Sequence, residues 1–283
     1  MPAPPDDRIP VDRAWIGAPA GTLANPTVGV LVLSLAMFAV GTLAWSRGAW
    51  PAWAVVANGA VALYLVFTPL HESMHGVAHR DRVANEAIGR IAGLLLIVSL
   101  PLFRAVHQEH HSHTNDPERD PDFVVSRRPR WLLPLWCLAI LPSYEWHFWR
   151  RRTWRSESDR REALWVEIGT LAFLASAAAA GFGRDVLVTW VGPALLAQQA
   201  LAFWFDFVPH WPYDSRARYR DTRIWGGPIA NALLLGQNQH LVHHLWPTIP
   251  WFRYRHVTAT VRDELVARGS RVEGEHGAVA NAA

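Results

Sequence analysis

Residues 52–79 read AWAVVANGAVALYLVFTPLHESMHGVAH, an apolar run from Ala52 to Leu70 that leads directly into His71, His75 and His79. The run approaches the ~20 residues with which an α-helix crosses a ~30 Å hydrocarbon layer. Its histidines therefore emerge at a membrane surface. His71 and His75, four residues apart, share one face if the helix continues through them.

Three further stretches have the length and apolarity of a span: residues 26–45, 164–182 and 186–208. Two others, 91–103 and 131–142, are about a dozen residues long and predict re-entrant, interfacial or buried helices. The turns joining spans one to two and three to four hold one arginine each, Arg47 and Arg184. Most other arginines, including Arg80, Arg82, Arg104, Arg127, Arg128 and the run Arg150 to Arg152, lie in the remaining segments. The positive-inside rule places those segments and both termini in the cytosol. The expected fold is an all-α membrane protein, four transmembrane helices with a cytosolic helical cap carrying the histidines. Residues 26–268 form that domain, and 1–25 and 269–283 read as disordered tails.

Composition agrees with a bilayer. Charged residues are 18 % of the 283, against roughly 25 % in soluble domains. No lysine occurs, so all 27 basic residues are arginine. The single cysteine, Cys137, excludes a disulfide framework and a cysteine-based metal site. Residues 1–7 lack the basic start of a cleaved signal peptide. The 16 tryptophans suit interfacial belts, and no nucleic-acid partner is expected.

Of 14 histidines, ten fall in three short windows: His71, His75, His79; His107, His110, His111, His113; and His240, His243, His244. The second and third windows follow i, i+3, i+4 spacing, which aims their imidazoles in one direction on a helix. Imidazole is a ligand for iron, zinc, copper and nickel. One zinc takes three or four protein ligands, so eight or more imidazoles match two metal ions with open positions. His210, just after the last span, is a ninth candidate ligand, and His79 is a ligand or a donor behind one. Glu72, Glu109, Asn115, Asp116, Asp120, Asp122, Asp206, Gln237 and Asn238 are candidates to accept the second N–H of a ligand, with Asp206, Asn238 and Asp116 put forward first. Asp206 stands one helical turn before His210, at the end of a span, where an unpartnered carboxylate is costly.

The boxes HESMH (71–75), HQEHH (107–111) and HLVHH (240–244) resemble those of the membrane fatty acid desaturase superfamily. The stretches HTNDPERDPD (113–122), FDFVPHWP (205–212) and GQNQHLVHHLWPTIPWFRY (236–254) resemble desaturase-like β-carotene hydroxylases. HESMHG and VPHWP are also similar to β-carotene ketolases, and acyl desaturases share the boxes. The resemblance runs from His71 to Tyr254. It implies two non-haem Fe ions, O₂ as oxidant, a carotenoid or acyl-lipid substrate, and electrons from an external ferredoxin or cytochrome. It implies no catalytic residue beyond the metal ligands.

Overall fold

The structure, a computed structural model, describes residues 8–19 and 24–274. In chain order its helices are α1 (Pro26–Ser46), α2 (Ala52–Met74), α3 (Arg82–Leu95), α4 (Leu100–His113), α5 (Leu133–Leu138), α6 (Ile140–Glu145), α7 (Glu157–Ala179), α8 (Gly183–His210), α9 (Pro228–Leu233), α10 (His240–Leu245) and α11 (Tyr254–Ala267). Two-residue strands β1 (Arg223–Ile224) and β2 (Arg271–Val272) pair in parallel. Helices α1, α2, α7 and α8 are long and apolar enough to cross a membrane. These are the four spans expected from sequence.

Local chemistry sets the helix ends. Asn25 caps α1, its side chain accepting from the Thr27 and Val28 amides, with Pro26 opening the helix. Ser156 caps α7 by accepting from the Asp159 amide, and Glu157 and Asp159 sit in the first turn, where the helix dipole favours them. That cap starts α7 inside the charged run, seven residues before the apolar stretch begins at Leu164. Of α7 only Ala163 is buried, so nearly its whole surface is free to meet lipid.

Helix α2 is the central element and packs against α1, α3 and α8. Its approach to α8 is close: a Cβ on Gly59 would lie 2.8 Å from Pro193 Cγ. The run 91–103 is not one helix. It breaks between α3 and α4, whose axes bend by 94°. Carbonyls freed at the break are taken by α8: Trp190 Nε1 donates to Leu95 O at 2.9 Å and Gln198 Nε2 to Leu96 O at 2.6 Å. Leu96, Val98, Leu100, Leu102 and Phe103 are buried there. Irregular backbone at such depth persists where protein covers it.

Two hydrophobic cores result. One gathers the spans with α3 to α6. The other, smaller, joins α10, α11 and β1 through Leu241, Val242, Ile249 and Tyr254. The histidines of α2 and α4 project from the first core, and those of α10 from the second.

The expected tails are partly built into this fold. Ile9 is 2 % exposed and packs into the second core, and residues 271–272 form β2. A lone apolar anchor in polar, proline-rich sequence has no periodicity that would announce it. Residues 1–7, 20–23 and 275–283 of those tails lie outside the described residues.

The bend rests on Gly93, where a Cβ would meet Val98 O at 2.6 Å. Gly93→Ala is expected to destabilise by about 1–3 kcal/mol through overpacking. A lowered Tm of the purified protein checks it, and an unchanged Tm contradicts it.

Candidate metal centre

Four elements deliver nine imidazoles to one place. Helix α2 supplies His71, with His75 just beyond its end, and α4 supplies His107, His110 and His111. Helix α8 ends on His210, and α10 carries His240, His243 and His244. They fall into two sets of four, each with its ligand atoms mutually within 4.8 Å: His71, His75, His107, His243, and His110, His210, His240, His244. His111 lies between the sets, with His243 and His244.

Around the first set and His111, and across the second set, Nε2 atoms face one another. Separations are 3.1 Å for His71 and His243, 2.8 Å for His111 and His243, and 3.0 Å for His107 and His111. In the second set they are 3.2 Å for His110 and His244, 3.1 Å for His210 and His240, and 3.1 Å for His244 and His240.

Partners on the far side of the rings fix what these nitrogens carry. His110 Nδ1 lies 2.8 Å from Asp120 Oδ1 and His210 Nδ1 lies 3.2 Å from Asn115 Oδ1, so both Nδ1 atoms donate. A neutral ring donating at Nδ1 has a lone pair at Nε2. With both rings neutral, these lone pairs would point into the same buried space. Nitrogens about 2.1 Å from a shared ion, at right angles, would stand about 3.0 Å apart. His75 Nε2 is buried with no hydrogen-bond partner at all. This donor set fits metal ions.

Protonation is consistent with that role. Burial, then the neighbouring imidazoles, holds His240, His243 and His244 well below the ordinary histidine range and so neutral, as ligands must be. Burial also opposes charge on His110, but Asp120 and Asp122 outweigh it and push the ring up to about 10. A metal cation at Nε2 would take the second proton's place and keep that pairing.

The orienting layer differs in part from the sequence expectation. His243 Nδ1 meets Tyr254 Oη at 2.9 Å and His244 Nδ1 meets Thr114 Oγ1 at 3.4 Å. Asp120 also accepts from the Asn115 and Asp122 amides, which locks its turn. Of the residues named from sequence for this layer, Asp116 accepts from the Glu118 and Arg119 amides and pairs with Arg216 at 2.6 Å. Asn238 donates to Trp225 O at 2.7 Å. Neither arrangement engages an imidazole. Asp206 lines a small chamber with Tyr144, and Asn115 takes the place at His210 expected of it. Residues 202–207 form a wide turn in α8, which breaks the regular register behind that expectation. His79 is outside both sets; its Nδ1 accepts from the Asp81 amide at the start of α3. Tyr254 and Thr114 were not anticipated, because a tyrosine 11 residues past His243 and a threonine in a polar turn carry no spacing signal.

Asp120→Asn is expected to weaken metal binding about 10–100-fold. His210→Ala should lower bound iron, while His79→Ala leaves it unchanged. Elemental analysis of the purified variants reads all three, and full iron in His210→Ala would reduce that residue to an interfacial histidine.

The family model described as fatty acid desaturase matches residues 47–273. The chain is 26 % identical over 228 residues to a zeaxanthin 4-ketolase of Chlamydomonas reinhardtii, covering 77 % of this chain and 47 % of that protein. It is 26 % identical over 203 residues to a β-carotene 4-ketolase of Haematococcus lacustris, covering 68 % and 57 %. An sn-1 oleoyl-lipid 12-desaturase of Picosynechococcus sp. is 25 % identical over 252 residues, covering 75 % and 68 %. The chain spans about half the length of the two ketolases. With a match over most of its length, and three histidine boxes brought to one buried centre, the chain belongs to the fatty acid desaturase family.

Proposed function

We propose that this chain is a non-haem di-iron oxygenase that oxidises an unactivated C–H bond of a carotenoid-type substrate. The observation that carries the reading is the convergence of nine imidazoles beside an apolar chamber. Phe67 stacks on His71 with centroids 5.6 Å apart, and Phe103 stacks on His107 at 5.4 Å. Both phenylalanines line the chamber, with Leu70, Leu96, Ile140 and Leu201. An apolar wall is thereby set against the ligands' ring faces, which disfavours water and would receive hydrocarbon.

Two iron ions held by the two histidine sets would supply the activation of O₂ at an open coordination position. The protein's own work is positional. Asp120, Asn115 and Tyr254 hold His110, His210 and His243 with Nε2 inward, and the aromatic wall confines the substrate carbon. The overall balance is R–H, O₂, two electrons and two protons giving R–OH and water, with the electrons from an external ferredoxin- or cytochrome-type donor.

Hydroxylation of a β-carotene ring is the first product expected from the sequence. The carotenoid-acting relatives are named ketolases, which favours a second reading: repeated oxidation at the same carbon, followed by loss of water, gives a ketone. The relative named as a lipid desaturase keeps acyl-chain desaturation as the alternative.

Expression in a β-carotene-producing host separates these outcomes. Hydroxylated or keto carotenoids, with about two iron atoms per purified chain, are expected. Unchanged carotenoids with newly unsaturated acyl lipids would assign the chain to lipid desaturation.

The cytosolic orientation of the boxes belongs to the same proposal. It requires that α3 and α4 together do not cross the bilayer. Cysteines replacing Arg80 and Ser112, which follow box one and box two, should react with an impermeant thiol reagent from the cytosolic side only. Labelling from opposite sides would refute this topology.

A further inference from the structure

A second apolar cavity, of about 520 Å³, opens between α2, α8 and α9. Its size lies within the ~300–1,000 Å³ of ligand sites. Its floor is small, formed by Ala60, Ala197, Ala200 and Ala230, and its walls include Tyr64, Trp204 and Trp225. Trp204 and Trp225 stack at 5.7 Å with 16° between planes. The rim residues Val61, Leu196, Ile229 and Leu233 are between 51 % and 78 % exposed. Val61 and Leu196 stand on α2 and α8, both long and apolar enough to cross a membrane, and on that reading the rim would face hydrocarbon rather than water.

An aromatic path joins this groove to the metal centre. Tyr64, Phe67 and His71 are at i, i+3 and i+7 on α2, one face rising about 10 Å over two turns. Phe205 of α8 interleaves with them, 5.7 Å from Tyr64 and 5.2 Å from Phe67, both stacked. Phe67 then stacks on His71. The chamber beyond has room for only about 50 Å³, so a ring can advance only if these side chains move. The Tyr64 hydroxyl reaches Leu233 O at 3.5 Å and ties the mouth to α9.

We propose that the α2–α8–α9 groove is the port through which a long conjugated hydrocarbon leaves the bilayer, with Tyr64, Phe67 and Phe205 as its specificity-determining gate. The flat aromatic walls over an alanine floor suit a rigid, planar polyene better than a flexible acyl chain. This assignment rests on the carotenoid reading above.

The test uses the full chain in oleoyl phosphatidylcholine vesicles with and without β-carotene. A lipid-soluble maleimide labels Ala200→Cys, with Leu171→Cys on the lipid face of α7 as control. β-Carotene should slow labelling at position 200 about fivefold, roughly 1 kcal/mol of occupancy, and leave position 171 unchanged. Ala200→Phe should cut conversion of β-carotene about tenfold or more at wild-type iron content. Equal labelling rates at position 200 would mean that acyl chains fill the groove, and would overturn the proposal, as would wild-type conversion by Ala200→Phe. Protection at position 200 without any oxidised carotenoid from the wild type would leave the port standing and remove the proposed reaction instead.

Discussion

Imidazole nitrogens that face one another at 2.8–3.2 Å in a buried space set the constraint around which the rest of the chain is arranged. With Nδ1 committed outward to Asn115, the inward nitrogen of His210 is an acceptor, and that of His110, whose Nδ1 is committed to Asp120, becomes one when a metal ion displaces its second proton. His75 Nε2 has no partner, and an unmet polar atom of this kind costs about 1–3 kcal/mol when buried. Two metal ions held there, as proposed, would convert that cost into binding energy. Folding and metal binding would then be coupled, because the unfolded chain has no such set of nitrogens in register.

Bringing the donors together requires parts of the chain far apart in sequence to end at one depth. The break between α3 and α4 does this for box two. An unbroken helix through residues 91–103 would carry His107 away from His71; the 94° turn returns it alongside. The turn is maintained by α8, whose Trp190 and Gln198 satisfy the exposed carbonyls. The same helix then ends on His210. One span thus supports box two from the side and supplies a candidate ligand at its end, so disturbance of α8 should be felt in both histidine sets.

What the sequence disclosed and what it withheld follow from range. The spans were legible because each is a continuous apolar run, and the clustering of the boxes because three short segments hold ten of the histidines. His210 could be suspected from its place after the last span. The orienting partners were harder. Asp120 and Asn115 sit in a turn that is acidic and polar throughout, where position alone does not say which side chain points inward. Tyr254 reaches His243 only because α10 and α11 pack into their own small core, a tertiary fact with no periodic trace. Asp206 misled for a local reason, the wide turn at 202–207. Ile9 escaped notice because one buried residue makes no pattern.

The centre has two unlike walls, and the proposed chemistry needs both. Toward the spans, Phe67 and Phe103 lie flat against His71 and His107. On the other side, His75 borders an open cavity of about 330 Å³ lined by His79, Arg80, Arg82, Arg104 and Arg155. Arg104 there is held by Glu86 at 2.6 Å. Hydrocarbon is excluded from a wall of guanidinium groups by their hydration, and water from a wall of stacked phenyl rings by the cost of leaving bulk solvent. The proposed reaction would take its substrate from lipid, its protons from water and its electrons from an external donor, and would run where such walls meet. The boxes at the ends of α2 and α4 occupy that junction, and this gives a physical reason for His71 to sit at the last turn of a span rather than within it.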